Sequence, residues 1–237
     1  MKKSTLIVAF SCLPAALYAQ DYTSYNTLVQ KYASPNGVQY KTWKANARDT
    51  AALKNILTEW ARIDANKLNK KQKAAFRINL YNAAMLDIVL DRYPLKSVTK
   101  IGVPFSVFKR KSIKTPQGNI SLDTLEKKQL LIDFPDPRIH FAVNCASISC
   151  PPLRNEAYTA EKLENQLADQ AQLFVASPHA VQIKGNSAYY SQLFDWYKND
   201  FAESNPAKII NKYASKKIPT NLKIRWIKYD WNLNEAS

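Results

Sequence analysis

Apolar residues recur along most of the chain at the 3.6-residue period of a helix, with a few short stretches at period two. Tyr25, Leu28, Val29 and Tyr32 share one helical face, and so do Leu53, Ile56, Leu57 and Trp60 within residues 43–63. Pro35-Asn36-Gly37 reads as a turn between them, with Val38 to Tyr40 briefly extended. The strongest helix runs over residues 70–93, where Phe76, Ile78, Leu80, Tyr81, Ala84, Met85, Ile88 and Val89 leave almost no polar face. A helix apolar nearly all round is a central one. Asn69 with Gln72 three residues on predicts a capping box at its start, and Pro94 ends it. Asn79 and Asn82 lie one turn apart inside this apolar run, where a buried amide needs a partner.

Period-two alternation from Ser106 to Ile113, the turn Thr115-Pro-Gln-Gly-Asn119 and a return through Ile120 predict a β-hairpin. Ser121 caps a helix carrying Leu122, Leu125, Leu130 and Ile132. Arg138 to Val143 is short, apolar and β-branched, and reads as a buried strand that ends in a loop at Asn144. Thr159 caps a helix to about Val175. Val181–Ile183 and Ala188–Tyr190 form a second hairpin around Gly185-Asn186. Short helices follow at 193–201 and 209–213, and a last strand at 224–229. The aromatic group Tyr189, Tyr190, Phe194, Trp196 and Tyr197 reads mainly as core, with sugar stacking as the other use of such rings. The pattern predicts an α+β fold, a mainly helical single domain with a small antiparallel sheet built from hairpins. Residues 20–66 form a helical N-terminal extension, and residues 67–237 form the main domain.

Residues 1–19 stand apart. Met1-Lys2-Lys3, an apolar run from Leu6 to Leu17, and Leu17-Tyr18-Ala19 read as a signal peptide cut near Ala19. The run is shorter than the ~18–20 residues of a membrane span, and no later stretch is long and apolar enough. The expected setting is therefore periplasmic or secreted, with no transmembrane segment after cleavage. Loss of Lys2 and Lys3 lowers the formal charge from +15 to +13. Such a surface favours an anionic envelope component, and an exported protein is not expected to meet nucleic acid.

The candidate chemistry concentrates in Arg138-Ile-His-Phe-Ala-Val-Asn-Cys-Ala-Ser-Ile-Ser-Cys-Pro-Pro-Leu-Arg154, which holds one of two histidines and two of three cysteines. A thiol acts as a nucleophile in its thiolate form, helped by a histidine, a cation or a helix N-terminus. His140 and Cys145 are five residues apart, about 15 Å on a straight strand at about 3.3 Å per residue, and on opposite faces. Contact requires the chain to turn back after Asn144. Cys150 lies farther into the loop, but Pro151-Pro152 keeps it from opening a helix. The expected site gathers His140 as base and Cys145 or Cys150 as nucleophile at the end of strand 138–143. Asn79, Asn82, Asn144 and Arg154 are its candidate substrate-binding residues.

Several segments together resemble the domain-of-unknown-function family numbered 547. They are Phe76-Arg-Ile-Asn-Leu-Tyr-Asn-Ala83, Asp136 to Arg154, Tyr158 to Leu167, Asp195-Trp-Tyr-Lys-Asn-Asp-Phe201 and Tyr229-Asp-Trp-Asn-Leu-Asn234. The resemblance spans about residues 38–234 in the family's order. One departure is Arg77, where the family commonly has Trp. The resemblance implies a fold and an exported bacterial setting, and it supplies no catalytic residues.

Three functions compete on the residues alone. In the first, a cysteine with His140 and an orienting Asn or Asp makes a thiol-dependent hydrolase or transferase for a peptide, amide or thioester in the cell envelope. In the second, a Cys145–Cys150 disulfide pins the loop of a non-catalytic periplasmic binding or scaffolding module. In the third, His140 and the cysteines hold a metal, although C-x4-C lies at the edge of zinc spacings. No cofactor is expected, since there is no Gly-rich phosphate loop among only four glycines. His-Glu-x-x-His and Gly-x-Ser-x-Gly are also missing from the sequence.

Overall fold

The computed structural model describes residues 21–236, so the expected signal segment lies outside the described residues. The chain opens with helix α1 (Thr23–Tyr32), a two-residue hairpin β1 (Ala33–Ser34) and β2 (Gly37–Val38), then α2 (Tyr40–Ala45) and α3 (Ala47–Trp60). The predicted apolar faces are the buried ones: Tyr25, Leu28, Val29 and Tyr32 in α1, and Leu53, Ile56 and Trp60 in α3. Both pack with α4 (Lys70–Arg92), which carries the predicted capping box between Asn69 and Gln72. Fifteen residues of α4 are buried, from Ala74 to Leu90, and the first hydrophobic core forms around them.

Beyond α4 the structure departs from the alternating pattern. Residues Ser106–Lys109 form one turn of helix, α5, rather than a strand. The Ser106 N–H donates to Val103 and the Arg110 N–H to Ser106, so the backbone closes on itself where no strand partner is near. The hairpin survives as β3 (Ile113–Thr115) and β4 (Gly118–Ile120). Ser121 accepts from the Thr124 N–H as predicted, but the helix it caps widens into a π-helical stretch, Thr124–Leu130, before α6 (Leu131–Asp133). Stretches of this kind are rare and collect at functional sites.

The expected strand over 138–143 is a helical turn, α7 (Ile139–Ala142). The Asp136 carboxylate accepts from the Arg138 N–H and its carbonyl from the Ile139 N–H, which starts a helical turn. All four residues of α7 are buried because it lies between two cores. Ile139 and Ala142 face the first core, and Phe141 joins a second one with Phe174, Phe194, Phe201 and Ile210. With apolar contact on every side, the segment has no period by which sequence could separate helix from strand.

The second core is enclosed by α8 (Leu163–Val175), the hairpin β5 (Val181–Lys184) and β6 (Ser187–Ser191), α9 (Leu193–Trp196), α10 (Lys198–Phe201), α11 (Pro206–Tyr213) and β7 (Lys223–Ile227). Strand β7 pairs parallel with β6, from Ser187 opposite Lys223 to Ser191 opposite Ile227. This sheet is therefore mixed, whereas the hairpins alone predicted an antiparallel one. The small antiparallel hairpins and the mainly helical α+β character hold elsewhere.

The C-terminal segment then returns across the molecule. Val38 donates to the Asn234 carbonyl and Ala236 to the Val38 carbonyl. Gly37 permits this crossing: its φ is +123°, and a Cβ there would lie 2.3 Å from the Asn234 oxygen. The returning segment also bonds the loop after α7, through Ile148 to Asn232, Asn234 to Ala146 and Ser149 to Asp230. Among the described residues, no helix is long and apolar enough to cross a membrane.

Candidate functional site

The loop after α7 is shaped by amides. Asn82, from inside α4, donates to the Ala142 carbonyl and accepts from the Asn144 N–H, at 3.0 and 2.8 Å. Asn144 in turn donates to the Pro151 carbonyl and accepts from the Ala146 N–H. Ala146 takes a left-handed φ of +60°, and the chain doubles back there. The turn brings the two cysteines together: the Cys145 N–H donates to the Cys150 Sγ at 3.0 Å.

The disulfide expected in the second sequence reading is not formed, and both cysteines are free. The Cys150 sulfur is buried and engaged with the Cys145 main chain, and the Val143 carbonyl lies 3.9 Å from it. As a residue, Cys145 is the more accessible of the two. Hydroxyls of Ser147 and Tyr229 lie 3.0 and 3.4 Å from it. The Cys150 thiol beside it, with these hydroxyls, holds the Cys145 thiol down at about 7 against the cost of burial. Burial pushes Cys150 the other way, well above the ordinary thiol range, and the adjacent Cys145 adds to that. Two thiols of one loop thus divide into an easily ionised one and one that stays protonated.

Cys145 and Cys150 line a cavity of about 810 Å³ together with His140, Tyr81, Glu126, Tyr197, Asp200 and Tyr229. His140 sits on α7, and its ring stacks on Tyr197 with centroids 3.8 Å apart. Its Nε2 lies 2.8 Å from the Asp200 carboxylate. Burial lowers the His140 pKa, partly offset by Asp200, so the imidazole is held neutral. With Nε2–H donating to Asp200, Nδ1 carries the lone pair; it is buried without a hydrogen-bond partner, 3.9 Å from Glu126 Oε1. Glu126, on the π-helical stretch, accepts from the Tyr197 hydroxyl at 3.0 Å, and burial raises its pKa. No hydrogen bond joins His140 to either sulfur among the described residues. The structure places base and thiol on the same cavity wall without direct contact.

The other sequence candidates lie elsewhere. Asn79 is saturated by one backbone residue, donating to the Tyr158 carbonyl and accepting from its N–H. Asn82 and Asn144 are likewise occupied in fixing the loop. Arg154 pairs with Glu156 at 2.9 Å and with Asp169 at 3.4 Å. None of these four lines the cavity. Arg77, the departure noted in the sequence, is buried and donates to Asp133 at 2.6 Å and to the Gln129 carbonyl at 2.9 Å. It thereby ties α4 to the end of the π-helical stretch. No group of three or more His, Cys, Asp or Glu side chains among the described residues is placed to hold a metal.

Sequence reasoning missed Tyr81, Glu126, Tyr197, Asp200 and Tyr229. Four of them fall in segments that carried the family resemblance: Tyr81 in 76–83, Tyr197 and Asp200 in 195–201, and Tyr229 in 229–234. Glu126 had no signal of its own, because one acidic residue in a helix with two lysines reads as a solvated face.

No curated protein and no solved structure matches the chain. The sequence model of the family described as "Protein of unknown function, DUF547" matches residues 65–175, the stretch that supplies Tyr81, Glu126, His140, Cys145 and Cys150. Residues 65–175 of the chain are thus similar to the DUF547 family.

Proposed function

We propose that the chain is a thiol-dependent hydrolase or transferase, with Cys145 as nucleophile, acting on a peptide, amide or thioester of the cell envelope. One observation carries this reading. Cys145 lines the cavity wall, with the Ser147 and Tyr229 hydroxyls 3.0 and 3.4 Å from its sulfur and the Cys150 thiol beside it. Such donors stabilise a thiolate and thereby supply the nucleophilic form near neutral pH. The envelope setting rests on the signal segment read in residues 1–19.

In this reading the Cys145 thiolate attacks the acyl carbon, an S–C bond forms, and the bond to the amine or thiol leaving group breaks as that group takes a proton from water in the cavity. The imidazolium formed in the next step returns that proton to solvent. A water or acceptor nucleophile then attacks the enzyme thioester. His140 Nδ1, buried and unpartnered, takes its proton, and the C–S bond breaks to restore the thiolate. Asp200 orients the ring and stabilises the imidazolium that forms. Cys150 stays protonated beside Cys145, its sulfur accepting from the Cys145 N–H.

The test is capture of the acyl-enzyme. The purified chain is mixed with an activated thioester, quenched in acid and weighed intact. A mass gain of one acyl group that maps to Cys145, persists in Cys150→Ser and accumulates in His140→Gln supports the reading. Acylation that is absent, or that is spread over lysines, overturns it.

A further inference from the structure

The mouth of this cavity has a character of its own. Between Asp91 and Asp123 the chain carries seven cations, Arg92, Lys96, Lys100, Lys109, Arg110, Lys111 and Lys114, and no acidic residue. At the centre of that segment the loop Gly102-Val-Pro-Phe105 turns outward. Phe105 has a left-handed φ of +63°, an uncommon conformation for an aromatic residue. Its ring is 44% exposed on the cavity rim and meets Trp231 edge-on at 5.0 Å. Two residues before it, Val103 is 73% exposed.

Across the mouth, Ile132 and Trp196 are exposed by 67% and 47%, and both line the cavity. Trp196 stacks against Trp231, with centroids 5.8 Å apart. Four of the nine large apolar side chains exposed among the described residues thus lie at or beside one opening. Lys109, Arg110 and Lys111 follow the loop after one helical turn and are exposed, Lys109 on this cavity and Arg110 and Lys111 on the neighbouring one beside Asp87 and Asp91. Lys127 and Lys128, one turn before Ile132, are exposed too.

We infer that this rim is a docking surface for an anionic lipid membrane, with Val103 and Phe105 entering the headgroup layer and the adjacent lysines and arginine meeting lipid phosphates. Each half of the surface argues for the other. Exposed apolar side chains gain by leaving water at a bilayer interface, and cations beside them gain from the negative surface potential there. The sequence from Arg92 to Leu122 carries no carboxylate and so complements an anionic face, with partly exposed Asp123, paired to Lys127, and exposed Asp200 as acids of the same cavity. Trp196 and Trp231 suit the same depth, since indole rings concentrate at membrane interfaces. Docking in this pose turns the cavity opening, and Cys145 within it, toward the lipid. The inference is independent of the chemistry proposed for Cys145.

Flotation of the purified full chain with vesicles tests it. Vesicles of phosphatidylcholine alone are compared with vesicles containing one part phosphatidylglycerol to three of phosphatidylcholine. Binding to the anionic vesicles only is expected, and high salt weakens it. Lys109→Glu/Arg110→Glu/Lys111→Glu is expected to weaken binding about 100-fold. Val103→Ser/Phe105→Ser, at exposed positions, is expected to weaken it about tenfold. Circular dichroism confirms that each variant is folded. No binding to the anionic vesicles overturns the inference. So does charge-dependent binding that the serine pair leaves unchanged, because the chain then adsorbs without inserting. Stronger retention on heparin than on the vesicles, lost in the same charge variant, overturns it in favour of a polyanionic glycan.

Discussion

Cys145 owes its character to three neighbours, and each can be removed singly. Cys150→Ala removes the nearest thiol, so the pH midpoint for alkylation of Cys145, expected near 7 in the wild type, is expected to rise. Tyr229→Phe removes one of two hydroxyls and is expected to raise the midpoint less. His140→Gln is expected to leave it unchanged, because no hydrogen bond links the imidazole to the sulfur. Alkylation rates of the three variants across pH check the order. Asn79 shows the other kind of polar residue. Its amide closes both backbone groups of Tyr158 in a dry interior, so Asn79→Ala leaves a buried donor and acceptor unpaired. A loss of about 3 kcal/mol in urea denaturation is expected, with the Cys145 midpoint unaltered. Read from the chain alone, Asn79, Asn82 and His140 all looked like candidate chemistry. Burial was legible for each; what filled the hydrogen bonds was not, because the partners lie about 60 residues or more away, in Tyr158, Ala142, Asn144 and Asp200.

Among the elements, α4 was legible in full, from the capping box at Asn69 to Pro94. Its apolar residues are so numerous that no tertiary contact could override them. The helices α1 and α3 followed from the same period. Short elements were not legible. Arg138 to Val143 carries a strand's composition and adopts a helical turn because Asp136 accepts from the Arg138 and Ile139 N–H groups and two cores enclose it. Ser106 to Lys109 alternates and coils because nothing pairs with it. That error moved the expected site. On a strand His140 and Cys145 point apart, whereas a helical turn followed by the Ala146 reversal brings both to one cavity. The tail that supplies Tyr229 depends on a distant element as well, the β1–β2 turn. Gly37→Ala is expected to lose about 2 kcal/mol or more, since the new Cβ meets the Asn234 carbonyl at a φ side chains avoid. The displaced tail is also expected to raise the Cys145 midpoint, and measuring both quantities on one preparation separates this from simple destabilisation.

On the scale of the whole molecule, two buried titrating groups face the cavity and oppose each other in pH. Burial raises Glu126, so the folded state holds a proton the unfolded chain releases; this stability is present at low pH and is lost as pH rises through the folded pKa. Burial lowers His140, so its contribution is present above the ordinary histidine value and is lost as pH falls through the folded pKa. The two contributions to the unfolding free energy therefore change in opposite senses with pH. Glu126→Gln should remove the loss that sets in as pH rises above the ordinary carboxylate value, and His140→Gln the loss that sets in as pH falls below the ordinary histidine value, as urea titrations across pH would show. The net positive charge was visible from composition, but the meeting of Lys109 and Lys127 at one cavity needed the fold, because the two are separated in sequence.

The account turns on the ionisation of one sulfur. The most direct measurement is the rate of iodoacetamide alkylation of Cys145 against pH, followed by intact mass and peptide mapping. A single transition with a midpoint near 7, at Cys145 and not at Cys150, is the expected result. A midpoint at the ordinary thiol value of about 8.5, or equal reaction at both cysteines, would contradict it.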